Sequence, residues 1–280
     1  MNFFKGRTLL IATKHEKEKV LAPMFEQALG VTCVTLPDFD TDKLGTFSGE
    51  VERIGDPLET ARRKCFLALE NTDFDLVLAS EGSFGPHPTI FFSYADDELL
   101  LLFDKKNGFE IISRFLTTET NFNAQAIDSK KQLIDFAKAV KFPSHGLIMK
   151  KSKSDFSRIE KGINTWDKLN EAYSYFNENY NSVYVETDMR ALYNPSRMEF
   201  ISKVGEKLVS KILSVCPQCE MPGFGITAVQ EGLPCNNCNT PTRSTLSYEY
   251  VCEHCDFSRI EKFPNGKTSE EPMFCDVCNP

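Results

Sequence analysis

The chain has 280 residues, 41% of them hydrophobic and 26% charged, with ten cysteines and a formal net charge of −8. That length accommodates one large domain and one small one, and the composition is that of a globular chain rather than a disordered one. No apolar run approaches the ~18 residues of a membrane span, so none is expected. Met1–Arg7 leads into only a short apolar run with no small-residue cleavage site, so no signal peptide is read.

Thr8–Thr13 (TLLIAT) is a strand by its apolar run. Glu18–Leu29 carries Val20, Leu21, Met24, Phe25 and Ala28 on one helical stripe, and Gly30 stops it. Val31–Leu36 is a second strand. Strand, helix, strand opens an α/β domain with parallel pairing. Pro37–Gly55 is a long polar connection holding GTFSGE (Gly45–Glu50), a length that suggests a lid or site loop. Pro57–Glu70 is a helix with proline at its first position. Phe74–Ala79 is a third strand that exits into Glu81–Pro88 (EGSFGPHP).

Thr89–Tyr94, Glu98–Asp104 and Phe109–Thr117 read as three antiparallel strands separated by turns. Lys131–Val140 is helical and His145–Lys150 is a strand. Lys151–Lys161 is charged and reads as a surface loop. Trp166–Tyr180 is a helix, Ser182–Glu186 a strand, and Met198–Leu213 a last helix. The fold class is therefore α/β, a mixed sheet with flanking helices over residues 1–213, followed by a small zinc-ribbon domain over 214–280.

Four Cys-x-x-Cys pairs define that tail: Cys216/Cys219, Cys235/Cys238, Cys252/Cys255 and Cys275/Cys278. Eight thiolates in pairs make two Cys₄ sites, suited to two structural Zn²⁺ ions with closed shells. Gaps of 15, 13 and 19 residues separate the pairs. Placing a β-hairpin in the middle gap joins Cys235, Cys238, Cys252 and Cys255, leaving Cys216, Cys219, Cys275 and Cys278 for the other ion. Sequential pairing is the main alternative. His254 lies inside a knuckle as a bystander. Committed cysteines fit a reducing, cytoplasmic compartment, and the single Cys33 and Cys65 read as buried small hydrophobes. The tail carries four Lys and Arg against nine Asp and Glu, a net −5, which disfavours nucleic acid and leaves a protein partner or a structural role.

Ligands in open α/β sheets bind beyond the carboxyl ends of strands. The first exit offers Thr13, Lys14, His15 and Glu18. The third strand offers Ser80, Glu81, Ser83 and His87. The late strand offers Thr187, Asp188, Arg190, Asn194 and Arg197. If these strands are parallel neighbours, the exits share one cleft. Glu81 and Asp188 would then hold a divalent ion such as Mg²⁺, and Thr13, Lys14, Ser83, Arg190, Asn194 and Arg197 would bind an anion. His15 and His87 would move or orient protons. Gly82, Ser83 and Gly85 would let backbone amides approach that anion. Each residue also has a purely structural reading: a helix start at His15, a turn at Glu81–Pro88, an Asp–Arg pair at Asp188–Arg190. His145 precedes its strand and, on a parallel reading, lies at the opposite end.

ATKHEKE (12–18), GTFSGE (45–50), SEGSFGPHP (80–88), TDMRALYNPSRM (187–198) and FCDVCNP (274–280) together resemble an uncharacterised bacterial domain family over nearly the whole chain. That resemblance implies one shared design and brings no activity. The N-terminal strand and helix, ETARRKC (59–65) and the acidic, glycine-containing turn after the third strand are similar to the inosine/xanthosine triphosphate pyrophosphatases. Those enzymes use a Ser/Thr-x-Asn-x-x-Lys turn for phosphates and acidic residues for Mg²⁺. Here Thr13 matches, His15 stands for the Asn, Glu18 for the Lys, and Glu81 serves as the acidic residue. Lys14, Lys17 and Arg190 are the cations left to replace the missing lysine. The function expected is a metal-assisted hydrolase or phosphoryl-type enzyme acting on a small anionic, nucleotide-like substrate. The alternative is a non-catalytic module that binds a small ligand or a protein.

Overall fold

The computed structural model describes residues 3–37, 39, 45, 55–70 and 72–280. They form two compact units, 1–209 and 210–280. The first unit is α/β and contains two sheets; the second contains a small sheet and all eight paired cysteines.

The mixed sheet has the order β2-β1-β3-β4-β5. Strands β1 (Thr8–Ala12) and β2 (Thr32–Val34) are joined by helix α1 (Glu18–Leu29), which Gly30 ends in the left-handed conformation. β1 is parallel to both β2 and β3 (Leu76–Pro86), as strand–helix–strand connections require. Helix α2 (Pro57–Leu69) starts at Asp56, whose carboxylate accepts from Leu58 and Glu59 backbone N–H while Glu59 reaches back, a full capping box. Ala61, Cys65 and Ala68 of α2 pack on Leu10, Ala12, Val77, Ala79, Leu99 and Leu101. On the opposite face Leu9, Ile11, Leu78, Leu100 and Leu102 are buried as well.

In the mixed sheet, two strand assignments differ from the sequence reading. Ser80–Pro86 is not an exit turn: β3 continues through it, paired residue for residue with β4 (Tyr94–Asp104). Thr89–Ser93 is not a strand: it is the loop between β3 and β4, and β5 (Phe109–Thr117) completes the sheet. The polar composition of Ser80–Pro86 misled because β1 stops at Ala12, opposite Ala79, and leaves this half of β3 without its apolar neighbour.

The second sheet is antiparallel, order β6-β9-β7-β8, with β6 Ala124–Ile127, β7 Leu147–Ser152, β8 Asp155–Ile163 and β9 Val183–Thr187. Helices α3 (Lys130–Ala139) and α4 (Trp166–Tyr180) cover one face through Leu133, Phe136, Leu169 and Phe176. Lys151–Lys161 is therefore largely strand, not loop; as a charged edge strand it resists pairing with another chain. The late strand, β9, lies in this sheet and is no parallel neighbour of β1 or β3. Because β7 runs antiparallel to β9, Leu147 faces Thr187, and His145 lies at the same end as residues 187–197, not the opposite one. Helix α5 runs from Pro195 to Leu213.

Within residues 210–280, β10 (Ile226–Glu231), β11 (Thr245–Val251) and β12 (Ser258–Lys262) form an antiparallel meander. Phe224 fills its small core against Tyr250 and Phe257, at ring separations of 5.6 and 5.8 Å.

Candidate functional site

The paired cysteines of residues 210–280 gather into two groups that could each hold a metal ion. Cys216, Cys219, Cys252 and Cys255 form one group, and Cys235, Cys238, Cys275 and Cys278 the other. Neither nested nor sequential pairing holds: the tetrads interleave. The reason is strand count. Each gap between knuckles carries one strand, not a hairpin, so β10, β11 and β12 each carry the chain from one end of the sheet to the other. Ile226 pairs with Tyr250 at one end and Glu231 with Thr245 at the other, so alternate knuckles meet.

Within the tetrads, Sγ atoms lie 3.7 Å apart for Cys216–Cys255, 3.6 Å for Cys219–Cys252, 3.9 Å for Cys235–Cys278 and 3.6 Å for Cys238–Cys275. A tetrahedron with metal–sulfur bonds of about 2.3 Å has edges of about 3.8 Å, so both groups fit a tetrahedral ion. Three knuckles share one turn: the first cysteine's carbonyl accepts from Glu220, Asn239 or Asp256 N–H, and each of those residues has φ near 60°. Backbone N–H of Gln218 and Asn237 point at Cys216 and Cys235 sulfur.

In the first unit, polar chemistry gathers where β1 ends and β3 continues. Lys17 precedes α1, yet its side chain turns inward and its Nζ donates to Ser80 Oγ at 2.8 Å. Lys64 reaches over from α2; its Nζ lies 2.5 Å from Glu81 Oε1 and 3.0 Å from the Ser80 carbonyl. One residue beyond Glu81, opposite Gly82, Glu98 Oε1 accepts from Arg197 Nε at 2.6 Å, and Arg197 Nη1 donates to the Met189 carbonyl. The guanidinium also sits 5.0 Å over the Phe84 ring. Arg197 therefore ties β4 of the mixed sheet to the segment leaving β9 of the other. Gly82 makes this approach feasible: a Cβ there would fall 2.5 Å from both Arg197 Nη2 and Glu98 Oε1.

Lys17, Lys64, Ser80, Glu81, Asp96, Glu98 and Arg197 are all buried. So many ionisable groups out of water is costly unless they are paired or serve a ligand. Burial, followed by the positive charge of Arg197, pushes the Lys17 ammonium down to about 7. Burial, then the neighbouring Glu98 carboxylate, pushes Asp96 up to about 8. Asp96 Oδ1 and Glu98 Oε2 are buried oxygens that accept from no N–H or hydroxyl group, the two carboxyls facing each other.

The sequence-derived residues divide between this cluster and the framework. Glu81 and Arg197 are in it. Thr13 and His15 are buried on the turn between β1 and α1, where His15 N–H donates weakly to Thr13 Oγ1 at 3.4 Å; Lys14 on the same turn is exposed. Ser83 lines a separate cavity of about 530 Å³ with Gly85, Pro86, Asp97, Arg114 and Phe115. His87 Nδ1 accepts from Thr89 and Ile90 N–H, shaping the β3–β4 loop. Asp188 is held at the end of β9 by Arg190 (2.6 Å) and by Gly162 N–H (3.1 Å). Its partners are thus distinct from those of Glu81. Arg190 stacks 4.6 Å over Tyr193. Asn194 Oδ1 accepts from Arg197 N–H and its Nδ2 donates to Asn121, so it caps α5 and aims Arg197. His145 accepts from Ser196 N–H at the same helix start. Apart from Gly45, the Gly45–Glu50 loop lies outside the described residues.

Sequence reasoning did not single out Lys64, Asp96 or Glu98. The signal was present for the acids: Asp96 and Glu98 alternate with Leu100 and Leu102 on one strand face, so they share a buried side. Lys64 was legible too, sitting on the helical stripe of Ala61, Cys65 and Ala68.

The profile of the family described as Domain of unknown function (DUF6671) matches residues 64–280, and the chain belongs to that family. No curated protein and no solved structure matches it. Among the described residues, no helix is long and apolar enough to cross a membrane.

Proposed function

We propose that the buried polar cluster where Arg197 joins the two sheets of residues 1–209 binds and turns over a small anionic, nucleotide-like molecule by metal-assisted hydrolysis or phosphoryl transfer. The observation that carries this reading is the buried convergence of Lys17, Lys64 and Arg197 with Glu81, Asp96 and Glu98 beyond the carboxyl end of β1. The three cations are the anion-binding groups. A lysine near neutrality is suited to taking or giving a proton at the reacting atom. The carboxylates supply the hard oxygen ligands that Mg²⁺ takes alongside substrate oxygens. Lys17 also meets the requirement of the triphosphate pyrophosphatase resemblance for a phosphate lysine on the first turn, one position earlier than the motif would place it.

Zinc is the ion we assign to both tetrads, on the strength of four thiolates at tetrahedral spacing. With closed shells it is structural. The tail's excess of acidic residues favours a protein partner over nucleic acid, and its reduced thiols favour a cytoplasmic setting. The test is incubation of the full chain with nucleoside triphosphates, sugar phosphates and pyrophosphate in Mg²⁺ or Mn²⁺, following phosphate and pyrophosphate release. Release that disappears in Lys17→Gln supports the reading. Binding without product would make the chain a ligand-binding module, and neither binding nor product would overturn the site.

A further inference from the structure

Formal charges in the cluster balance. Lys64 is matched to Glu81 and Arg197 to Glu98, which leaves Lys17 on a neutral hydroxyl and Asp96 without a cation in contact. Asp96 and Glu98 are 2% and 1% exposed, and they project from the same face of β4 two residues apart. Each offers one oxygen, Asp96 Oδ1 and Glu98 Oε2, that is sealed from water and accepts from no N–H or hydroxyl group, while the two carboxyls lie within hydrogen-bonding reach of each other. Two buried carboxyls turned on each other share either a proton or a cation, and a cation that displaces the proton satisfies both oxygens. Such a cation must be oxygen-seeking. Sulfur and imidazole ligands are not part of the pair, so a hard divalent ion is favoured over a transition metal. Mg²⁺ commonly binds through one or two carboxylates and completes its shell with water and substrate oxygens.

We propose that Asp96 and Glu98 form a divalent-cation site that fills together with an anion held by Lys17, Lys64 and Arg197. The coupling follows from burial. A lone dication would enter a closed region beside three cations, and a lone dianion would enter beside three carboxylates. With Asp96 deprotonated by the incoming ion, either alone leaves a net charge where the dielectric is low, whereas both together leave none. The inference rests on the anion-site reading above and adds the location of the ion and its order of loading.

The experiment uses the full, zinc-replete chain and follows free Mn²⁺ by electron paramagnetic resonance, with and without millimolar sulfate as a non-hydrolysable anion. Sulfate binding is measured separately by calorimetry. The expected result is one Mn²⁺ bound with sulfate, at least about tenfold more weakly without it, within the usual range of coupling between sites. Asp96→Asn keeps the side-chain volume and should abolish the sulfate-linked Mn²⁺. Sulfate independence in the wild-type chain overturns the proposal without any variant. Undiminished Mn²⁺ binding in Asp96→Asn overturns its location. If sulfate binds and Mn²⁺ does not, this inference falls while the anion site stands; if neither binds, both fall.

Discussion

Replacing Cys216 and Cys252 together by serine separates the interleaved pairing of the four knuckles from the nested and sequential ones. In the structure these residues belong to one tetrad, with Cys219 and Cys255. Two ligands are lost from that site and none from the other. Its counterpart, Cys235, Cys238, Cys275 and Cys278, is held at the other end of the meander by its own knuckle bonds, Cys235 N–H to Thr240 and Asn236 N–H to the Glu270 carbonyl. Metal content should therefore fall from two ions to one per chain. The lost centre matters energetically, since structural Zn²⁺ contributes about 10–16 kcal/mol in isolated finger peptides. The Phe224–Tyr250–Phe257 cluster should loosen with it, because Cys216 and Cys252 pack there. Elemental analysis after dialysis against a mild chelator reads the count. Cys216→Ser with Cys235→Ser is the reciprocal case and should leave no ion. An empty protein from the first pair and one ion from the second would refute the interleaved arrangement in favour of sequential pairing.

Glu220 follows a metal knuckle at φ 59°, where Asn239 and Asp256 occupy the matching positions of two others. Asn and Asp tolerate that region; Glu does not, so Glu220→Gly should raise stability by about 0.5–1 kcal/mol in thermal unfolding. Gly82→Ala should dislodge the Arg197–Glu98 pair and weaken anion binding, whereas Gly85→Ala, with open space at its Cβ position, should leave binding unchanged in the same titration. Burial pushes the Asp104 carboxyl up, but bonds from Arg7 and Asn107 outweigh it and hold the group below its ordinary range. A lowered folded value means stability that is present above the unfolded pKa and lost as pH falls through the folded one. Asp104→Asn should therefore flatten the loss of stability below about pH 4 measured by urea unfolding.

Much of this fold could be read from residue pattern. The helices Glu18–Leu29 and Trp166–Tyr180 have the bounds their periodicity indicates, and spacing alone pointed to the eight cysteines that form two groups able to hold a metal ion. Long-range partnership was not legible. Nothing local in VYVET distinguishes a strand of the mixed sheet from one of a second sheet; its partners are β6 and β7. The polar run Ser80–Pro86 hid a strand because its neighbours are charges from the turn before α1, from α2 and from α5 instead of apolar side chains. The interleaved knuckles escaped for a related reason: a 13-residue gap was read as a hairpin, and it holds one strand. Strong local patterns locate elements, while the choice among compatible pairings belongs to the assembled chain.

The buried cations of the mixed sheet are the centre of the account, and anion affinity tests them most directly. Isothermal titration of pyrophosphate into the full chain in Mg²⁺ should show binding that weakens with salt. Lys17→Gln and Lys64→Gln should each reduce it by about tenfold or more, the worth of one hydrogen bond to a charged group. Equal affinity in wild type and both folded variants, or no binding in any of them, would contradict the site.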